Sequence, residues 1–510
     1  MTPPVLNLSV LGPLVAVGTG AMFVLVGEVL LSRRKTLLGR RLTDSYIGGV
    51  LAVISMLSLA IATYMAADVA RSGTALPFDV GNPMFQLDPF SALVTAVIGL
   101  AALLSCALSI QYLAELRINH GEFYALILFA TAGMMLLVAS VDMLPVFLGL
   151  ELMSIPIYVL AGFDRRRLRS NESAVKYFLI GSFASAILLY GVALLYGVSG
   201  STSFAAIRSA FDPHNPLALA GLAFVVVGFA FKISSVPFHQ WTPDVYEGAP
   251  SAVTAFMSVT VKLAAFAAFL RVLTLSFGPQ GELLENVLWM LAAATLVVGN
   301  VMAVIQENIK RLLAYSSIAH AGYLLIGFVP GTAAGYSAVV FYLIAYLFMN
   351  LGAFGVVVAL ANRGQDCERM SSFAGLAQRR PGLAALMTLF MIALAGIPGT
   401  AGFTGKFLIF SAAVDAGQVP LAILGVMMSV VSVYYYLRLP VLMYMREPGQ
   451  EPTRAELGIG EIAVLAVCGF GVLYLGLFPN GDPIFPHAHV LDWARNSVAA
   501  LLEGTSATLR

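Results

Sequence analysis

Apolar residues fill this chain in blocks of about twenty, the length a helix needs to cross roughly 30 Å of hydrocarbon, and short polar stretches punctuate them. Fourteen blocks are predicted: 8–31, 45–67, 89–113, 122–140, 143–162, 172–197, 217–247, 250–275, 283–305, 309–329, 335–361, 383–413, 419–444 and 459–479. The seventh and the twelfth carry helix breakers. In FKISSVPFHQWTPDVYEGAP, Pro237, Pro243 and Pro250 remove backbone donors and are expected to break the helix. In LFMIALAGIPGTAGFTGKFLIF, Gly396, Pro398, Gly399, Gly402 and Gly405 can unwind the centre. The expected fold class is an all-α polytopic membrane protein.

The two breaks lie five blocks apart. Because five is odd, equivalent helices would run in opposite directions, which predicts two inverted five-helix repeats, each containing a broken helix. The division that follows is 1–113 (three helices), 114–280 (blocks four to eight), 281–445 (blocks nine to thirteen) and 446–510 (last helix and tail). The tail after 480, DPIFPHAHVLDWARNSVAALLEG, reads as a short interfacial amphipathic helix or a solvated tail.

Charge then sets direction. Of the 28 basic residues, eighteen fall in alternate loops, among them Arg33, Arg34, Lys35, Arg40, Arg41, Arg117, the Arg165–Arg169 cluster, Lys310, Arg311, Arg363, Arg369, Arg379, Arg380, Arg446 and Arg454. The opposite side holds Arg71, Arg208 and, in the tail, Arg495 and Arg510. By the positive-inside rule both termini are expected outside, in the periplasm for a bacterial inner (plasma) membrane.

Composition narrows the function. With 510 residues, 59% of them hydrophobic and 11% charged, the chain cannot cover a soluble surface. A net charge of +1 argues against nucleic acid as a partner. Cys106, Cys367 and Cys468 are scattered, no metal-ligand spacing appears and no glycine-rich loop follows a strand. Neither a redox centre nor a nucleotide site is expected, nor a removable signal peptide.

Six basic residues fall within the predicted blocks: Lys176, Lys232, Lys262, Arg271, Lys406 and Arg438. A charge at mid-bilayer costs about 2.5–3.5 kcal/mol on insertion scales, so such groups should face protein or water and have a partner. Glu151 is the carboxylate deep in a block, expected to pair with Lys232. A Glu–Lys pair can hold two protonation patterns; the plainer alternative is a static pair that locks two helices. Lys262 is too central to snorkel, and Lys406 follows the second break as Lys232 sits at the first. Lys176, near the arginine-rich side, either snorkels or competes with Lys232 for Glu151. His320, midway along its helix, and His239, in PFHQW, can bridge a relay because imidazole both donates and accepts; packing is the alternative for each. Asp244 reads as a cap for the second half of the broken helix, Arg271 and Arg438 as interfacial. Titratable groups through both halves suit protons better than a solute, since no fixed pocket is visible.

Several stretches resemble the antiporter-like subunits of respiratory complex I, the NADH:quinone oxidoreductase: ELMSIPIYVLAGF, ESAVKYFLIGSFASAILLYGVALLYG, FKISSVPFHQWTPDVYEGAPSAVTAFMSVTVKLAAF, NIKRLLAYSSIAHAGY and GIPGTAGFTGKF. The likeness covers about residues 85–445. WTPDVYEGAP, a lysine at 406 and a chain that stops soon after the last helix are most similar to the N-type branch. The resemblance implies a proton-pumping module, with Glu151 and Lys232 as a modulating pair, Lys262 as central relay and Lys406 as terminal loading site; Lys176 and His320 also match family positions. It implies sister antiporter-like and other membrane-arm subunits as partners, and no cofactor in this chain: NADH, FMN, iron–sulfur clusters and quinone belong to other subunits. Three other readings remain: a homologous cation/proton antiporter or membrane-bound hydrogenase subunit, a solitary solute carrier, and an inert scaffold. VYEGAP counts against the first, the continuous charged line against the second, and the insertion cost of six basic groups against the third.

Overall fold

The computed structural model describes residues 7–33, 36–37, 40–41, 44–79, 83–278, 281–361, 368–448, 456–481 and 489–507. Arg34, Lys35, Arg363, Cys367, Arg454 and Arg510, weighed above for charge or chemistry, lie outside them. The chain is a helical bundle. Its first helices are α1 (Gly12–Arg33), α2 (Asp44–Ser72), α3 (Pro89–Leu116), α4 (Gly121–Ala139), α5 (Met143–Ala161), α6 (Leu168–Ser199) and the short α7 (Phe204–Ala210). There follow α8 (Pro216–Lys232), α9 (Trp241–Gly248), α10 (Ser251–Val272), α11 (Glu282–Val304), α12 (Ile309–Phe328) and α13 (Ala333–Ala359). The last are α14 (Leu376–Arg379), α15 (Pro381–Ala395), α16 (Ala401–Asp415), α17 (Val419–Met445), α18 (Ile459–Leu477) and α19 (Val490–Ala507). Eleven helices among the described residues are long and apolar enough to cross a membrane. The other three expected blocks are α12, which is more polar, and the two split blocks α8/α9 and α15/α16.

Two short connections are capped by residues visible in the sequence. Asp142 Oδ1 accepts from the Leu144 amide at 2.8 Å to start α5, and Asn308 Oδ1 accepts from Lys310 and Arg311 at 2.9 and 3.2 Å to start α12. These caps satisfy first-turn donors within turns of only a few residues.

Burial divides the helices into centre and rim. α10 is buried along its whole length and α13 along 94% of its most apolar window, whereas the corresponding window of α1 is only 22% buried. The rim helices turn Phe23, Leu57, Ile155, Phe183, Val430 and Phe470 outward, as lipid contact requires. The two sets α4–α10 and α11–α17 repeat one packing order. In each, the first two helices form a tight hairpin, α4 with α5 and α11 with α12, and the third helix packs on the broken pair. Glycines allow both hairpins: a Cβ on Gly149 would stand 2.6 Å from the Leu137 amide nitrogen, one on Gly299 2.6 Å from that of Ala319.

Both predicted breaks are present, with corrections to their causes. In the first, Pro237 lies between α8 and α9, and Ser234 takes a left-handed φ of 62°. Thr295 of α11 accepts from the Val236 amide at 3.0 Å, replacing a lost helical partner. Pro243 does not break the helix: it occupies the first turn of α9, where its missing N–H is no loss. In the second, Gly396 and Gly399 both have φ of 86° and Pro398 sits between them. Gly402 and Gly405 are helical instead; their missing side chains admit the Ala393 carbonyl and the Tyr342 ring.

The tail forms the amphipathic α19 over its described part, 489–507, while 482–488 fall outside the described residues. Leu491, Ala494, Val498 and Leu501 make one buried stripe that packs on α13 and α3.

Candidate functional site

Four lysines are buried among the described residues: Lys310, at the start of α12, donates to the Ala249 carbonyl at 2.6 Å, and the other three are each held differently. Lys232 ends α8, only 3% exposed, and its Nζ donates to Ser154 Oγ at 2.7 Å and Tyr158 OH at 3.5 Å on α5. The rings of Tyr158, Tyr177 and Phe231 surround the ammonium at 5.4–5.6 Å. Glu151 lies one turn before Ser154, near enough to act on Lys232 electrostatically, yet no direct ion pair joins them. Its Oε1 is buried without a hydrogen bond among the described residues. The pair is therefore unlocked in this arrangement, which counts against a static clamp.

Lys262 sits at the middle of α10, 3% exposed. Its Nζ donates to Ser317 Oγ at 2.6 Å and to the Ser317 carbonyl, with the Tyr346 ring at 5.4 Å. One turn earlier, Ser258 Oγ accepts from Asn350 Nδ2 at 2.7 Å. The Tyr246 hydroxyl faces the same Ser317 from α9.

Lys406 lies on α16 and reaches back across the break. Its Nζ donates to the carbonyls of Leu394 and Ala395 at 3.1 and 3.0 Å, over the Tyr323 ring at 4.5 Å. These are the last carbonyls of α15, where unpaired oxygens and the helix dipole favour a cation.

His320 lies on α12 between Ser317, which holds Lys262, and Tyr323, whose ring lies under Lys406. Its Nδ1 is 2.6 Å from Tyr342 OH and its Nε2 3.0 Å from Tyr436 OH, which in turn bonds Ser316 Oγ. Ser317, His320 and Tyr323 recur every third residue on α12, so Lys262's partner, the imidazole and the ring under Lys406 share one helix face.

Lys176 stands apart from Glu151. α6 begins at Leu168, earlier than the sequence suggests, and at 32 residues is about 48 Å long, so its first turns extend past the hydrocarbon. There Lys176 Nζ bonds Glu172 and Asp244, each at 2.8 Å. Asp244 also takes Arg311 at 2.8 Å, and Arg311 takes Glu247 at 2.9 Å. This network borders a polar cavity of about 200 Å³ lined in part by Arg169, Lys176, Asp244 and Glu247. Asp244 is thus a first-turn residue and ion-pair partner rather than the cap of α9. Tyr177, stacked on Trp241 at 4.4 Å, separates the network from Lys232. His239 lies half-buried in the break itself, its Nδ1 without a hydrogen bond among the described residues.

Arg271, in the last turn of α10, is enclosed by protein. It is 1% exposed, its Nη2 pairs with Asp88 at 2.6 Å, and its Nε donates to the Ser140 carbonyl at 2.9 Å. Asp88 also caps α3 through the Ser91 amide, so one carboxylate ties α10 to the start of α3.

The hydroxyl partners Ser154, Tyr158, Tyr342 and Tyr436 were not singled out from sequence. A signal existed for some: Ser154 and Tyr158 follow Glu151 by three and seven residues, and Tyr342, Tyr346 and Asn350 are spaced by four.

Residues 140–432 match a family model described as NADH:quinone oxidoreductase/Mrp antiporter, TM. A relative from Trichlorobacter lovleyi, named NADH-quinone oxidoreductase subunit N, is 46% identical over 90% of this chain and 94% of its own. Among solved structures, a chain of respiratory complex I from Thermus thermophilus is 34% identical with a TM-score of 0.75, covering 90% of this chain and 97% of that one. A chain of the Mrp complex from Dietzia sp. shares the fold at TM-score 0.81 and 23% identity, over 97% of this chain and 99% of that one.

Proposed function

Because the chain belongs to the NADH:quinone oxidoreductase/Mrp antiporter family of transmembrane proteins, we infer that it is a proton-translocating membrane subunit of an NADH:quinone oxidoreductase, working among the other membrane-arm subunits of that complex. What carries the reading is the face of α12, where Ser317 holds Lys262 and His320 stands one turn on towards Tyr323 and Lys406. A proton needs donors and acceptors in file, and desolvated amines can release and regain one.

In this reading Lys262 passes its proton along Ser317 to His320, and Tyr342 and Tyr436 fix the imidazole so that one ring nitrogen accepts while the other donates. Lys406 is the terminal loading site. Lys232 is the switch: held by Ser154 and Tyr158, it can swing to Glu151, and its charge then acts on Lys262 from a different place. Such a two-position element can couple distant chemistry to the relay if both bias the same equilibrium. Lys176, Asp244 and Arg311 form the polar approach to Lys232 from the arginine-rich side. His239 is a second-rank relay group at the break.

NADH oxidation and quinone reduction, with flavin and iron–sulfur clusters, are assigned to other subunits, so the chain's catalytic part is proton transfer alone. We place both termini on the periplasmic side of a bacterial inner membrane, with repeat boundaries at 114–280 and 281–445. The test is Glu151→Gln in native membranes, with assembly confirmed on a native gel. Turnover and protons moved per NADH should both fall; pumping at full stoichiometry and rate would overturn the switch. The fold shared with the Mrp chain supports one alternative, a cation/proton antiporter subunit. It would be adopted if wild-type membranes exchanged Na⁺ for protons without NADH-linked activity.

A further inference from the structure

Along α10 the surroundings of Lys262 differ on its two sides. The helix begins at the arginine-rich side, where Lys310 donates to the Ala249 carbonyl and Arg311 pairs with Glu247. From that end up to the lysine, polar side chains recur at helical spacing. Thr254 Oγ1 donates to the Tyr246 carbonyl at 3.0 Å, and Ser258 Oγ accepts from Asn350 Nδ2 at 2.7 Å. Asn350 Oδ1 is buried without a hydrogen bond among the described residues, so this level keeps an acceptor open.

Past Lys262 the character reverses. Phe266 and Phe269 follow it by four and seven residues and so lie on the same face of α10. Both pack on Phe328, the last residue of α12, with ring centroids 5.8 and 5.5 Å apart. Phe229 of α8, three residues before Lys232, stacks on Phe269 at 5.1 Å. Tyr336, near the start of α13, closes edge-on against Phe328 at 6.0 Å. Each of the four phenylalanines is at most 1% exposed. Helices α8, α10 and α12 carry Lys232, Lys262 and Ser317, and each places its ring or rings on the arginine-poor side of that residue. Tyr342, Tyr346 and Tyr436 surround the relay itself, whereas these outer rings neither donate nor accept a proton.

We propose that Phe229, Phe266, Phe269 and Phe328 form a dry seal that closes Lys262 off from the arginine-poor side, so that a proton on this lysine can leave outward only by crossing α12 to His320 and Lys406. Hydrocarbon rings in close contact exclude water, and a proton needs a file of water or of titratable groups. The seal matters for direction. With a wet path outward from Lys262, the membrane potential would drive protons back through the first half of the chain and short-circuit the pump.

The experiment uses the whole purified complex in liposomes, without NADH or quinone. A potassium diffusion potential drives protons, and an enclosed pH dye reports them. Assembly of each variant is checked on a native gel. Phe269→Ser and Phe328→Ser bring a hydroxyl and room for water from two different helices, and each should raise passive proton entry about tenfold over wild type. Either variant decides if the other fails to assemble. Phe269→Leu, smaller but still apolar, should stay as tight as wild type. Rings that merely fill the core would open no path tied to the lysine. Adding Lys262→Met to Phe269→Ser should therefore return the leak to the wild-type level. Tight serine variants, a leak that survives Lys262→Met, or an equal leak in Phe269→Leu would each overturn the seal. The inference rests on Lys262 being a relay, which pumping by Lys262→Met alone tests separately. Serine variants that stay tight while Lys262→Met abolishes pumping would sink the seal and leave the relay standing.

Discussion

Replacing Lys262 by methionine should part stability from transport. The wild-type ammonium is 3% exposed and held by the Ser317 carbonyl, by Ser317 Oγ at 2.6 Å and by the Tyr346 ring. Methionine has nearly the same length and no charge. After the change the Ser317 carbonyl keeps its place in the α12 ladder, and its hydroxyl can turn to a carbonyl one turn back. No buried group is orphaned. A buried charge with no carboxylate partner is costly to hold, so a well-packed apolar side chain of similar length in its place should be neutral or stabilising. The variant complex should therefore assemble, with a thermal midpoint no lower than wild type. Transport should collapse, because the relay then has no amine to take up and release a proton at Ser317. A loss of tenfold or more is expected, equivalent to at least about 1.4 kcal/mol added to the limiting barrier. NADH:quinone turnover and dye-reported proton uptake, recorded together in native vesicles, give both numbers. Lys262→Arg should also be slow, since a guanidinium keeps its proton. A methionine variant that assembles and pumps at wild-type rate would refute the relay.

Other expectations follow from single contacts. Tyr436→Phe removes the hydroxyl at 3.0 Å from His320 Nε2 and its bond to Ser316, costing about 1 kcal/mol and several-fold in turnover; unchanged pumping would show the imidazole needs no second partner. Arg271→Met strands buried Asp88 and should cost about 3–5 kcal/mol, read as reduced complex on a native gel, while the double change with Asp88→Asn should recover part of it. In Gly133→Ala the new methyl meets the Met153 backbone across the α4–α5 hairpin, so a loss of about 1–3 kcal/mol should appear as a lower thermal midpoint.

The helices were legible because lipid enforces a simple rule: every spanning backbone group pairs within its own apolar run. The predicted block 89–113 became α3 at Pro89–Leu116, and 309–329 became α12 at Ile309–Phe328. The lysines were legible because burying charge is expensive. Their partners were not. Ser and Tyr cost little in a membrane helix, and 19 tyrosines give no reason to favour Tyr342 or Tyr436. The ion pair of Arg271 was hidden for a related reason: its partner Asp88 lies far away in sequence, beyond periodicity's reach. Pro243 misled because a proline weakens a helix only beyond its first turn.

The two breaks each join a proline to a lysine but treat the lysines differently, which supports the proposed roles. Lys406 is bound by the carbonyls of Leu394 and Ala395, which belong to a rigid helix end. Fixed dipoles of that kind hold a cation in one place and need no rearrangement when its charge changes. Lys232 is bound by the Ser154 hydroxyl and by aromatic faces, all on side chains, with Glu151 one turn away and free of competing hydrogen bonds at Oε1. Its two possible partners lie on one face of α5, so movement between them needs only rotamer changes. A loading site profits from constancy and a switch from choice. The break that ends on backbone therefore suits the terminal site, and the break that ends on side chains suits the element that senses the rest of the complex.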